Sequence, residues 1–208
     1  MKFLNVYRIV NSISSSNSFV LFTVFADDVW LVDCGDIEPI LEWMHDNGKT
    51  LIKGVFITHS HYDHIYGLNN LLSIYPNLRI YTSLFGIAGL LSDKLNLSRY
   101  MESSFVCAVK SNIFEVSDNE KICLWNNVFL EAFFTPGHDK SCLVYRVDNS
   151  IFTGDSFIPG LKVVASFPNS NKEDAVISKS RILSLSKGCN LYPGHGEIYE
   201  NFQLEKYI

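Results

Sequence analysis

Basic charge is scarce in this sequence and gathers nowhere. Lys and Arg number 17 against 22 Asp and Glu, for a net charge of −5, and no long run of one sign interrupts the chain. Binding a polyanion needs clustered Lys and Arg that displace counterions, so no nucleic-acid partner is expected. Long apolar runs are missing too. Phe19 to Ala26 is apolar, but it is far shorter than the roughly 20 residues of a membrane helix. The polar stretch Asn11 to Ser18 separates it from Lys2, so neither a membrane span nor a leader peptide is expected and the predicted location is cytoplasmic. Cysteine is sparse: Cys34, Cys107, Cys123, Cys142 and Cys189 are odd in number and scattered, with no Cys-x-x-Cys pair. That usage fits reduced thiols better than a disulfide framework. No short-period repeat and no linker-like stretch divides the chain, so one domain over residues 1–208 is expected, and a 47% hydrophobic content fills its core. No feature sets an oligomeric state.

Histidine is also rare, which makes its distribution informative. Of six histidines, three fall in Thr58-His59-Ser60-His61-Tyr62-Asp63-His64, directly after the apolar run Gly54-Val55-Phe56-Ile57. The run has the β-branched content of a buried strand, and Ile65, Leu68, Leu71 and Leu72 follow at helical spacing. The imidazoles therefore sit where a strand ends, with Asp63 and His64 placed at or near a helix start. Two more histidines occupy glycine-flanked turns after apolar runs, Thr135-Pro136-Gly137-His138 and Tyr192-Pro193-Gly194-His195-Gly196. A single histidine is ordinarily a surface or packing residue, but five in strand-to-loop turns suit imidazole and carboxylate donors converging on a metal. His45 lies beside the apolar stripe of a helix and is given no role.

The remaining pattern is mixed α and β. Phe19 to Ala26 and Val29 to Val32 read as strands around the turn Ala26-Asp27-Asp28. Asp36 is placed as the N-cap of a helix bearing Ile37, Ile40, Leu41 and Met44 and ended by Asn47-Gly48. Leu78 to Thr82 is a strand and Leu84 to Leu91 a helix, followed by an irregular crossover over residues 93–105. Lys121 to Trp125, Val128 to Phe134, Leu143 to Val147 and Ile151 to Thr153 read as strands. Ser170-Asn171-Lys172-Glu173 has capping-box form and opens a helix bearing Val176, Ile182, Leu183 and Leu185, stopped by Gly188, with Leu191-Tyr192 a last short strand.

With its His-x-His-x-Asp-His loop, the chain resembles the metallo-β-lactamase-fold hydrolases, particularly their glyoxalase II-like branch. His138 matches that family's Pro-Gly-His turn, Asp155 in Phe152-Thr153-Gly154-Asp155-Ser156 its Thr-Gly-Asp turn, and His195 its last ligand. Asn17-Ser18-Phe19 and Asp33-Cys34-Gly35 fall where such proteins carry their opening hairpin, so the resemblance covers nearly the whole chain. It implies an α+β fold, the four-layer αββα sandwich. It also implies two divalent metal ions, Zn first with Mn or Fe admitted by the N/O donor set. His59, His61 and His138 would hold the first ion and Asp63, His64 and His195 the second, with Asp155 bridging. The function implied is a dinuclear metal-dependent hydrolase in which a metal-bridging hydroxide attacks a small acyl substrate (a thioester, ester or lactone) and catalytic Asp63 orients the nucleophile. The alternatives are a metal-dependent phosphodiesterase and a mononuclear iron sulfur dioxygenase on the same fold.

Departures refine that expectation. Asp155 stands where one large group of true β-lactamases carries cysteine, and His61 where flavodiiron proteins usually carry glutamate. True glyoxalase II enzymes continue well past the last histidine, whereas 13 residues, Gly196 to Ile208, remain here, so glutathione specificity is not implied. Lys162 and Arg99 are candidates for gripping an anionic group near the site, and Tyr100 for its wall, each weighed against an ordinary exposed position. Cys142 is read as a small buried hydrophobe.

Overall fold

Side-chain alternation along the strands builds the layers. The computed structural model describes residues 4–203. Lys2 and residues 204–208, which entered the sequence reading, lie outside the described residues.

Six strands form the first sheet in the order β1 (Asn5–Val10), β2 (Asn17–Phe22), β3 (Asp28–Val32), β4 (Leu51–Phe56), β5 (Arg79–Thr82) and β6 (Ile113–Glu115). The first three pair antiparallel. From β3 to β6 the pairing is parallel, each crossover carrying a helix: α1 (Glu38–Asp46), α2 (Leu68–Ile74) and α3 (Leu84–Leu90). The second sheet contains β7 (Lys121–Trp125), β8 (Val128–Phe134), β9 (Leu143–Val147), β10 (Ser150–Gly154) and β11 (Asn190–Pro193), ordered β11-β10-β9-β8-β7. Its β10 and β11 run parallel, connected through α4 (Lys172–Leu185).

Period-two alternation sends neighbouring residues to different cores. On β2, Phe19 and Leu21 join Trp30, Phe56, Leu130, Tyr145 and Phe152 between the sheets. Val20, between them in sequence, packs instead with Leu31, Ile40, Met44, Leu68 and Leu71 under α1 and α2. Val144, Ile151 and Leu191 meet Ile182 of α4 on the far face of the second sheet. The result is helix, sheet, sheet, helix: the α+β four-layer sandwich expected from the resemblance. Among the described residues no helix is long and apolar enough to cross a membrane.

Several local expectations shift, each for a visible reason. Asp36 does not cap α1, whose N-cap is Ile37 without a side-chain cap. The Asp36 carboxylate instead accepts from Ser12 N, Ser12 Oγ and Tyr66 Oη. The N-cap of α4 is Asn171, accepting from Asp174 N at 2.9 Å. Ser170 Oγ is spent donating to the carbonyl of His138 at 2.5 Å. Asp63 and His64 lie on a 3-10 turn, Tyr62–His64, with α2 starting only at Leu68. Strand β2 stops at Phe22, and Val24 and Phe25 beyond it are exposed. Val176, expected on the apolar stripe of α4, is 69% exposed. Strands β1 and β6 were not legible in the sequence: β6 has three residues and, among the described residues, pairs only with β5. The five cysteines are free, and Cys142 is buried as a small apolar residue.

Candidate metal centre

Four loops leaving strands at one rim of the sandwich bring the polar residues together. The first follows β4 and carries His59, His61, Asp63 and His64; the second follows β8 with His138; the third follows β10 with Asp155; the fourth follows β11 with His195. The opening hairpin clamps them. Asn17 donates through its backbone N–H to Gly194 O and through Nδ2 to Pro193 O and Gly196 O. Ser16 Oγ donates to Asp63 O. Close approach also demands Gly194, since a Cβ there would stand 2.2 Å from Asp155 Oδ1 and 2.9 Å from Gly154 C.

All seven residues singled out in the sequence converge. Three sets have ligand atoms within 4.8 Å of one another: His59, His61 and His138; His59, His64 and Asp155; Asp63, His64 and His195. Asp155 lies between the outer two sets, with Oδ2 3.5 Å from His138 Nε2 and 3.4 Å from His195 Nε2, and Oδ1 3.6 Å from His64 Nε2. Asp63 Oδ2 is 3.4 Å from His195 Nε2.

The acceptors behind the rings decide which nitrogen faces the centre. A carbonyl only accepts, so His138 Nδ1–H donates to Val164 O at 2.8 Å and His195 Nδ1–H to Ser14 O at 3.1 Å. His64 Nδ1–H donates to Asp33 Oδ2 at 2.9 Å. Thr58 gives its hydroxyl proton to Asp33 Oδ2, so its oxygen accepts from His59 Nδ1–H at 3.1 Å. Each of these four rings therefore turns Nε2 inward. His61 is reversed: Nδ1 lies 3.0 Å from His138 Nε2, and its Nε2 is 3.7 Å from Asp139 Oδ2.

Inward atoms left as bare lone pairs repel and lack partners. His59 Nε2 and Asp155 Oδ1 are buried without a hydrogen bond among the described residues. Such atoms cost free energy unless a donor or a cation meets them. His64 Nε2 and His195 Nε2 stand 3.3 Å apart, which requires a proton or a metal between them. The donor set fits divalent metal: neutral imidazoles oriented from behind, two carboxylates, and no thiolate.

Charge in the site follows the same logic. Burial, then the neighbouring His64 and His61, push His59 well below the usual histidine range. Burial and His138 take His61 down to about 4. Burial also opposes charge on His64, yet Asp63 and Asp33 raise it to about 9. At His195 burial is again outweighed, here by hydrogen bonds to Asp155 and Asp63, which raise it to about 10. Burial would raise Asp155, but His195 and His64 hold it well below the carboxylate range. Metal-free, the His64 side of the site thus keeps protons where a cation would sit.

The other predicted positions separate. Arg99 is occupied by Asp93, with Nη2 3.0 Å from Oδ1. Lys162 lines a cavity of about 60 Å³ with His138 and Asp155. Tyr100 is 74% exposed but borders a second cavity, of about 230 Å³, with His61, Lys94, Leu97, Asp139 and Phe167. His45 is exposed against Asp46. Asp33, Asp139, Val164 and Phe167 were missed as site residues. Phe167 sets its ring edge-on to His61 at 5.0 Å and His138 at 5.6 Å. Asp33 directly follows a strand and Asp139 directly follows His138, but nothing in the sequence marks either carboxylate as buried.

Residues 14–201 match the family described as the metallo-beta-lactamase superfamily. A hydroxyacylglutathione hydrolase of Pseudoalteromonas translucida is 26% identical over 188 residues, 90% of this chain and 63% of that protein. An atrochrysone carboxyl ACP thioesterase of Aspergillus fumigatus is 28% identical over 199 residues, 92% of this chain and 54% of that protein. The chain therefore spans less than two thirds of the length of either relative. The crystal structure of a B3 metallo-beta-lactamase, BLEG-1, superposes with a TM-score of 0.82 at 21% identity, covering 93% of both chains. With residues 14–201 matching that family on a four-layer sandwich that carries the His/Asp cluster, this protein belongs to the metallo-β-lactamase superfamily.

Proposed function

We propose that the protein is a dinuclear metal-dependent hydrolase of small acyl substrates, a thioester before an ester or lactone. One observation carries the reading: four imidazoles spend Nδ1–H on acceptors behind them and turn Nε2 inward, around Asp63 and Asp155. His59, His61 and His138 would hold one ion, Asp63, His64 and His195 the other, and Asp155 would touch both. Divalent cations held there would supply a water of lowered pKa and a Lewis acid for the substrate's carbonyl oxygen, which is the chemistry an acyl hydrolase needs at neutral pH.

The chain supplies orientation and proton handling. Burial would raise Asp63, but His64 and a hydrogen bond to His195 keep it below the usual carboxylate range. Ionised at neutral pH, its Oδ2 can accept a proton from the attacking water or aim a lone pair. Phe167, packed on His61 and His138, closes one side against bulk water. The cavity of about 230 Å³ that touches His61 is on the scale of a small acyl group. Each cavity touching the centre carries one lysine, Lys94 or Lys162, which suits a single anionic group better than a polyanion. The names of the two relatives, a glutathione thioester hydrolase and an acyl-carrier thioesterase, favour thioesters.

The test is turnover of S-lactoylglutathione and of simple acyl thioesters, esters and lactones by metal-loaded protein, with His61→Ala as control. Hydrolysis lost in His61→Ala is expected. No turnover of any of the three classes by protein shown to hold its metal, or equal turnover in the variant, overturns the reading.

A further inference from the structure

Beside the centre runs a groove of about 610 Å³ whose α4 wall takes no part in the hydrolytic machinery. One wall is the loop segment Leu161 to Ser166 and the other is α4, through Lys172, Ala175, Val176 and Lys179. Those helix positions are i, i+3, i+4 and i+7, a single face. Lys172 and Lys179 therefore stand about 10 Å apart at the two ends of that face, at 1.5 Å per residue. The acidic neighbours Glu173 and Asp174 do not line it.

Two features of the groove are unusual for a solvated surface. Its apolar residues are open: Leu161 is 65%, Val164 51% and Val176 69% exposed. Apolar residues clustered so at a concave surface mark a binding site more often than chance exposure. Its cations are unspent: the lysines and arginines in ion pairs among the described residues are Arg8, Lys53, Arg99, Lys121, Arg146 and Arg181, none of them in the groove. Lys162, Lys172 and Lys179 thus form a positive margin around an apolar floor, on a chain whose net charge is −5.

The groove also adjoins the candidate centre. Leu161, Lys162, Val163 and Val164 line both the groove and the small cavity bounded by His138 and Asp155. The carbonyl of Val164 takes the Nδ1 proton of His138. The start of α4 is pressed on the same turn, since a Cβ on Gly137 would lie 2.4 Å from Ala175 Cα.

We propose that this groove binds the far part of the substrate, an aliphatic chain bearing an anionic group, the chain on Leu161, Val164 and Val176 and the carboxylate or phosphate on the lysines. The use of the groove in turnover rests on the acyl-hydrolase reading; occupancy of the groove does not. Burying methylenes on open apolar side chains supplies affinity that grows with chain length. The lysines fix the end of the chain that carries charge.

Calorimetric titration of the metal-loaded protein with decyl phosphate, decanoate, inorganic phosphate and acetate tests this. Both ten-carbon ligands should bind at least tenfold tighter than their headgroups alone. The tighter of the two identifies the anion as phosphate or carboxylate. Val176→Asp and the double variant Lys172→Gln/Lys179→Gln should each lose that gain, with circular dichroism showing the fold kept; two exposed sites of different chemistry guard against a misfolded variant. In turnover, preference for the thioester of a ten-carbon dicarboxylic acid, whose far end carries a carboxylate, over an acetyl thioester should collapse in both variants. Equal binding of long and short ligands, or variants that bind like wild type, overturns the proposal. So does a wild-type dimer that Val176→Asp splits, which would make the groove an interface between copies. Chain-dependent binding without hydrolysis of any thioester supports the groove and overturns only the acyl-hydrolase reading; hydrolysis of short thioesters without chain-dependent binding does the reverse.

Discussion

Behind every inward nitrogen stands an acceptor or a carboxylate, and at the scale of single residues these supports are where substitutions should separate metal binding from folding. Asp139 is 3% exposed, with Oδ1 taking the N–H and Oγ–H of Ser141 while Oδ2 faces His61 Nε2. Asp139→Asn should weaken metal affinity about 10- to 100-fold, the range for lost outer-sphere partners of metal ligands. Competition with a chromophoric chelator measures it, and unchanged affinity would mean that Asp139 does not set the His61 tautomer. Asp33 is different in kind. It accepts from Thr58 N, Thr58 Oγ1 and His64 Nδ1, and it is 1% exposed. Asp33→Ala would bury three donors without partners, so urea denaturation of the metal-free protein should show a loss on the order of 3–5 kcal/mol. The five convergent histidines were legible because histidine is rare and they sit in turns that follow apolar runs, and Asp63 because it lies among three of them; Asp155 was singled out only through the family resemblance. Asp33 and Asp139 were not, because one carboxylate after a strand looks like any surface turn until the fold buries it.

At the scale of elements, loops and helix ends hold the site rather than strands. Gly194 lets the β11 loop lie against Asp155, so Gly194→Ala should displace that carboxylate. Metal content after dialysis should drop while the far-ultraviolet circular dichroism stays unchanged; full retention of metal would contradict the close approach. Asn171 caps α4, and Asn171→Ala should cost about 1 kcal/mol in chemical denaturation. That cap was misread by one residue in the sequence because Ser170 has the residue type of an N-cap. Its hydroxyl instead goes to the backbone of His138, a contact between segments 32 residues apart. Asp36 was misread for the same reason, its carboxylate being drawn away by Ser12 and Tyr66. Local patterns identify a capable residue, whereas tertiary contacts choose its partner.

For the whole molecule, proton and metal compete for one place. His64 rises from 6.5 to about 9 and His195 to about 10 on folding without metal. A raised folded pKa contributes stability that is complete below the unfolded value and is lost as pH rises through the folded one. Melting of the chelator-treated protein should therefore fall between pH 7 and pH 10. Metal needs the neutral rings, so the increment it adds to Tm should grow across that same window, with about 2.7 kcal/mol expected at a free metal concentration of 100 Kd. A chelated protein whose Tm is flat or climbs over this range would show that the two rings are not protonated partners of Asp63 and Asp155. The sequence by itself determined the donor chemistry, the mixed α and β elements and the strand ends that carry the histidines, because residue type and period are local properties. Only the tertiary structure decided which ring nitrogen points inward, which carboxylates stand behind the rings, and that Val176 belongs to an open groove beside Lys162 and not to a core. Those depend on contacts between loops far apart in the chain, such as Ser14 with His195 and Val164 with His138, which no local pattern encodes.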